Sequence, residues 1–240
     1  MPTISAEDGY LTVLNLFLTD TPERQGHLLG AMRDIVDTAA FPGWISSTVH
    51  SGQQRLGTAN FIQWRSQEDL EARYSEDVFK HRTMPLFTEI TTSIRLLQTR
   101  CAATYRRSDQ GDVTEISPTR DDYAAIEIFQ MPDDGHEELV ATLVDAEGWL
   151  PDTPGWRTHT VLQGIGARNL DGAFVVSYSQ WDDKDSYDAY RALPEADQPV
   201  AMQKARSRIE ALPTSTFWNT YRVVHTRSAG QQSVSAASLA

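Results

Sequence analysis

The chain has 240 residues, a formal net charge of −12 and a single cysteine, Cys101. That acidity argues against nucleic acid or an anionic membrane as a partner, because both call for a basic face. One cysteine excludes an intrachain disulfide and suits a reducing compartment. No apolar run reaches the roughly 20 residues that a spanning helix needs, and the acidic start MPTISAEDGY has no hydrophobic signal core. A cytoplasmic protein is expected.

Tyr10 to Leu18 alternates apolar and polar residues and predicts a strand. Thr21-Pro22 opens a helix, with Thr21 as N-cap and Pro22 in the first turn. Its buried face carries Leu28, Met32, Ile35 and Val36, and Phe41-Pro42-Gly43 ends it. Ile45–His50 and Thr58–Trp64 then flank a polar, glycine-bearing loop, which reads as a β-hairpin. Ser66, with Asp69 three residues on, caps a second helix, and Pro85 breaks or restarts helical structure before Ile90. Ser93 to Arg106 reads as a fourth strand, in which Cys101 is expected as a small core residue. The polar segment 108–120 reads as a linker. Beyond it, Ala124–Phe129 is a strand and Asp134, with Glu137 behind it, caps a helix. Arg157–Leu162 and Ala173–Trp181 form a second hairpin, Asp183 opens a helix bearing Tyr187 and Tyr190, and Thr216–His225 is the last strand. The small polar residues after Arg227 predict a disordered tail.

The two halves repeat. Phe17 aligns with Phe129, Pro42-Gly43-Trp44 with Pro154-Gly155-Trp156, and Thr48-Val49 with Thr160-Val161, all at an offset of 112. Gln63-Trp64 matches Gln180-Trp181 at 117, and Thr104-Tyr105-Arg106 matches Thr220-Tyr221-Arg222 at 116. A duplication of one βαββαβ unit follows. A ferredoxin-like sheet leaves one face bare, and a second copy in the same chain can cover it. The expected fold is α+β: two tandem ferredoxin-like units, residues 8–107 and 121–227, packed as an internal pseudo-dimeric α+β barrel, with a linker at 108–120 and a tail at 228–240.

Side chains alternate along a strand, so Thr58, Asn60, Ile62 and Trp64 share one face. If even-numbered residues oppose one another across the hairpin, His50 joins Asn60 and Trp64. That surface would offer a base, an amide and an indole N–H around an apolar residue, suited to a flat aromatic molecule and proton chemistry. The plainer reading is that a sheet tryptophan belongs to the core; asparagine in a strand is the less ordinary feature.

The repeat, the topology and the His50/Asn60/Trp64 set resemble the antibiotic biosynthesis monooxygenase family, whose members include the anthrone oxygenases of aromatic polyketide pathways. The tandem length is similar to the angucycline ring-opening oxygenases of the jadomycin, gilvocarcin and kinamycin type. The resemblance implies an oxygenase that acts with O2 on a polycyclic phenol or hydroquinone, by quinone formation or C–C ring cleavage. It implies His50, Asn60 and Trp64 as catalytic residues and Tyr74, Arg82 and Ile62 as substrate-binding residues. No metal or tightly bound cofactor is implied, although the ring-opening members are associated with reduced flavin (FADH2 or FMNH2), which would make a flavin reductase a partner. Homodimer formation is a further expectation. In the second unit Ser177 replaces Asn60 and Leu162 replaces His50, so that unit is expected to be mainly structural; Tyr178 and His159 leave room for a second pocket. Two alternatives stand beside this: a haem-degrading protein built on Asn15 and Trp64, or a non-catalytic aromatic-binding module. Against haem, the ligand histidine is expected near Tyr74, and His81 lies too far along.

Overall fold

The computed structural model describes residues 1–132, 136–145 and 149–236. Strands β2 (Leu11–Leu18), β3 (Trp44–Gly52), β4 (Gly57–Trp64) and β5 (Ser93–Arg106) form the first unit, with helices α1 (Pro22–Thr38), α2 (Gln67–Ser75) and α3 (Met84–Ile90). The second unit comprises β7 (Tyr123–Met131), β8 (Trp156–Arg168), β9 (Ala173–Trp181) and β10 (Ser215–Ser228), with α4 (His136–Val144), α5 (Lys184–Ala192) and α6 (Val200–Ala211). β10 pairs with β3 on one side and β7 on the other, and β5 joins β2 to β8. The long strands β5 and β10 therefore bridge the units and close an eight-stranded antiparallel barrel.

The caps are as the residues dictate. Thr21 Oγ1 accepts from the Arg24 amide at 3.2 Å, Ser66 Oγ from Asp69 N at 3.3 Å, and Asp183 Oδ1 from Ser186 N at 2.8 Å. Asp134, expected as the cap of α4, lies outside the described residues. Pro85 stands in the first turn of α3, which follows a π-helical turn at Phe79–Thr83.

Leu14, Leu16, Phe61, Leu97, Ile126, Ile128, Leu162, Tyr178 and Tyr221 fill the barrel. One end is plugged by β1 (Thr3–Ile4) paired with β6 (Thr114–Glu115), both short strands that periodicity does not announce. Ile4 and Ile116 are fully buried there and stand at the repeat offset of 112. The plug is tied down symmetrically: the Gln63 amide donates to the Thr3 carbonyl at 2.8 Å, and Gln180 donates to that of Glu115 at 3.1 Å. Segment 108–120 is thus part of the barrel's closure rather than a bare linker. The reading of 228–240 as a disordered tail is corrected over the described part: β11 (Val234–Ser235) pairs with His225 and Thr226 of β10. Cys101 is half-buried beside a bulge in β5, and burial pushes its thiol up to about 11.

The helices cover the barrel's outer surface, one set per unit, so each unit has a cleft between helices and sheet.

Candidate functional site

The register of the first hairpin decides which residues meet. Gly43, at φ +75°, holds a left-handed turn, and its carbonyl accepts from Arg65 N at 2.8 Å. Trp44 pairs with Trp64, but the next pair is Ser46 with Gln63, because one extra residue bulges from β3. A one-residue slip sends every later side chain to the other face. Val49 therefore opposes Asn60, and His50 opposes Ala59.

His50 is consequently not on the face of Asn60 and Trp64. It is fully buried inside the barrel. Its Nδ1 lies 3.1 Å from the Ala59 carbonyl, which can only accept, so Nδ1 carries the proton; Nε2 then accepts from the Tyr178 hydroxyl at 3.1 Å. Both nitrogens are occupied. Desolvation lowers its pKa to about 4, so the ring is neutral near pH 7.

The outer face brings together Asn15, Ser47, Asn60, Ile62 and Trp64, with Met32 of α1 and Tyr74 of α2 above them. Asn15 and Asn60 are direct cross-strand partners. The space left is about 60 Å³. Asn60 Nδ2 makes only a 3.7 Å contact with Met32 Sδ. Asn15 Oδ1, Asn60 Oδ1, Trp64 Nε1 and the Tyr74 hydroxyl are all buried with no hydrogen-bond partner among the described residues. Four such atoms in one apolar cleft are unusual, since buried polar groups are almost always paired. Burial pushes the Tyr74 phenol up to about 12. Arg82 is exposed on the π-helical turn. The cleft's guanidinium belongs to Arg73, 4.1 Å from the Phe41 ring centre, 5.2 Å from that of Phe79, and paired with Glu76 at 2.7 Å. Sequence reasoning missed Arg73, although its place beside Tyr74 and three residues after Leu70 puts it on the buried side of a helix as short as α2.

The second unit repeats the bulge: Trp156 pairs with Trp181, then Thr158 with Gln180. Gly155, at φ +74°, repeats the turn. The outer face here carries Glu127, His159, Ser177, Ser179 and Trp181 around a cavity of about 480 Å³. Among the described residues no three His, Cys, Asp or Glu side chains form a group able to hold a metal ion, and no helix is long and apolar enough to cross a membrane.

No family model matches the chain. A crystal structure of an anthrone oxidase-like protein superposes with a TM-score of 0.94 at 52% sequence identity, covering 99% of this chain and 100% of the other. The chain belongs to the antibiotic biosynthesis monooxygenase family. It is an oxygenase. The tetracenomycin-F1 monooxygenase of Streptomyces glaucescens is 29% identical over 106 residues, which span 39% of this oxygenase and 92% of that protein. A Fusobacterium nucleatum protein described as a candidate monooxygenase shares the fold alone, with a TM-score of 0.61 at 10% identity over 95% of this chain and 98% of its own. The curated relative thus corresponds in length to about one of this oxygenase's two units.

Proposed function

We propose that this oxygenase uses O2 to oxidise a polycyclic aromatic phenol of polyketide type, bound in the N-terminal cleft, at a ring carbon that becomes a quinone carbonyl. The observation that carries this is the set of four buried, unpartnered polar atoms on Asn15, Asn60, Trp64 and Tyr74, residues that all line one largely apolar cleft. A flat ring bearing hydroxyl and carbonyl groups offers partners for all four; the closed cleft, at about 60 Å³, is smaller than such a ring, so binding requires the helices above it to move off the sheet.

The chemistry needs an electron-rich anion. An anthrone-type CH2 flanked by aromatic rings loses a proton to give an enolate. That anion reduces O2, and the resulting ring peroxide loses water to leave C=O. In balance, CH2 and O2 give C=O and H2O, with no further reductant. The cleft's lining contains neither imidazole nor carboxylate, so its contribution is to the anion rather than to proton removal. Trp64 N–H, the Tyr74 hydroxyl and the Asn60 amide N–H donate to developing negative charge on the substrate oxygen, and the Arg73 guanidinium lowers the energy of the enolate. Ile62 packs against the ring. The names of the relatives, a tetracenomycin-F1 monooxygenase and an anthrone oxidase-like protein, favour this quinone-forming reaction over angucycline ring cleavage.

The test is O2 uptake with anthrones and with angucycline hydroquinones, each with and without FMNH2. Stoichiometric uptake with an anthrone and no flavin supports the proposal. Uptake only with an angucycline hydroquinone and FMNH2 would transfer it to the flavin-assisted, ring-opening reaction. Tight binding with no O2 consumption would leave a binding module.

A further inference from the structure

The larger cavity lies in the other half, against strands that the first-unit chemistry does not use. We infer that the C-terminal cavity is a second ligand site of this chain, built for an uncharged, flat, multi-ring hydroxyquinone or phenol. Its volume of about 480 Å³ is in the range of small-molecule sites. Its walls are aromatic slabs: Trp149 is stacked on Tyr190 at 6.0 Å and 11°, and Trp181 lies 4.8 Å from Tyr190. Such faces take a planar ring in offset stacking.

The polar groups define the ligand's edge. His159 Nε2 is 2.9 Å from Ser177 Oγ, while Nδ1 is buried and unpartnered. Trp149 Nε1 is likewise buried and unpartnered. Both residues line the cavity and both are more than nine-tenths buried. The indole can only donate, so it calls for a carbonyl. The imidazole is neutral, and its Nδ1 either accepts from a phenol or donates to a quinone oxygen, according to which way the Ser177 hydroxyl turns. A ring system carrying both hydroxyl and carbonyl groups satisfies the pair.

Charge in the cavity is already balanced. The lining acids are Glu127 and Glu210 and the lining bases Arg191 and Arg206. Glu127 pairs with Arg191 at 3.1 Å, and Arg191 in turn covers the Trp218 ring at 5.0 Å. Arg206 donates to the Tyr190 carbonyl at 2.9 Å. With its guanidinium groups so engaged, the cavity has no call for an anionic ligand. The N-terminal cleft differs at each matching place: Asn15 stands for Glu127, Ser47 for His159 and Asn60 for Ser177. The inference does not rest on the reaction assigned to that cleft.

The experiment titrates the full chain with 1,8-dihydroxyanthraquinone, a phenolic quinone with no CH2 left to oxidise, and reads stoichiometry by calorimetry and tryptophan quenching. Two sites per chain are expected. Ser177→Trp fills the cavity and should remove one, while Asn60→Trp should remove the other. His159→Gln, which leaves the volume nearly unchanged, should weaken the second site about tenfold, the scale of one hydrogen bond, and serves if Ser177→Trp does not fold. One site that Ser177→Trp removes and Asn60→Trp spares upholds this inference and defeats the N-terminal assignment. One site with the reverse pattern overturns the inference, as does binding that neither Ser177→Trp nor His159→Gln alters.

Discussion

The imidazole of His50 and the phenol of Tyr178 meet at 3.1 Å inside the barrel, a hydrogen bond between residues 128 positions apart that ties the first unit to the second. Both groups are fully buried, and the bond leaves His50 without a free nitrogen. It links β3 of the first unit to β9 of the second across the barrel interior, where Leu162, at the repeat position of His50, contributes only apolar packing.

That burial sets the response to acid. His50 and His159 both have pKa values lowered from 6.5 to about 4 by desolvation. Between those values the unfolded chain binds more protons than the folded one. Stability therefore falls as pH drops from about 6.5 to about 4, by roughly 3 kcal/mol for each histidine. Buried Asp122 and Glu127, whose carboxyls burial raises, act in the opposite sense, so the histidine share is isolated by comparison: the melting curve of His50→Leu should fall less steeply with acid than that of the wild type. A slope unchanged in that variant would count against the assignment.

His50→Leu should also keep turnover, since the ring does not reach the cleft. The pH profile of kcat/KM should follow the ionisation of the substrate, shifting when a substrate of different acidity is used. A limb near pH 6 that stays fixed across substrates would point to a protein base.

Asn60→Ala removes an amide from the N-terminal cleft and should slow turnover by roughly 10²–10³, the scale for loss of one oxyanion-site donor. Trp64→Phe keeps the ring's bulk and loses the N–H, so it should melt near the wild-type temperature and still turn over slowly. Normal rates in both variants would remove the proposed site.

The two arginines of the α2–α3 region separate cleanly. Arg73→Met should raise KM by on the order of tenfold or more, as loss of a charge-assisted contact does. Arg82→Met, in an exposed side chain, should leave KM alone. Steady-state kinetics on both decides the matter.

Asp122 is a buried carboxylate held by Arg120 at 2.8 Å and Arg157 at 2.9 Å. Arg157→Met leaves that charge half-compensated and should cost on the order of 3 kcal/mol, read from denaturant unfolding with an unchanged far-ultraviolet spectrum.

The fold was legible because a duplicated pattern repeats its own evidence. Thr21, Ser66 and Asp183 announce helix starts, and the matched Pro-Gly-Trp and Gln-Trp pairs align the two sheets. Asn60, Ile62 and Trp64 fall on one face by alternation alone. His50 was misplaced because a single bulged residue inverts parity, and alternation carries no mark of where a bulge sits. Gly43, just before the bulge, is legible only afterwards: it holds a left-handed turn, and a Cβ there would collide with the Asp69 carboxylate of α2. The plug strands Thr3–Ile4 and Thr114–Glu115 are two residues long, too short for any period. His159 reached the C-terminal cavity through the same inverted parity.

The crossing of β5 and β10 between units has one more consequence. A barrel assembled from two separate identical chains receives every substitution twice, so neither cleft can change without the other. Here the halves share one backbone and are read from different codons. Asn15 and Glu127, or Asn60 and Ser177, are free to drift apart while the wall between them stays whole. One closed cylinder thus carries two independently variable chambers, and a change of ligand in one need not be matched in the other.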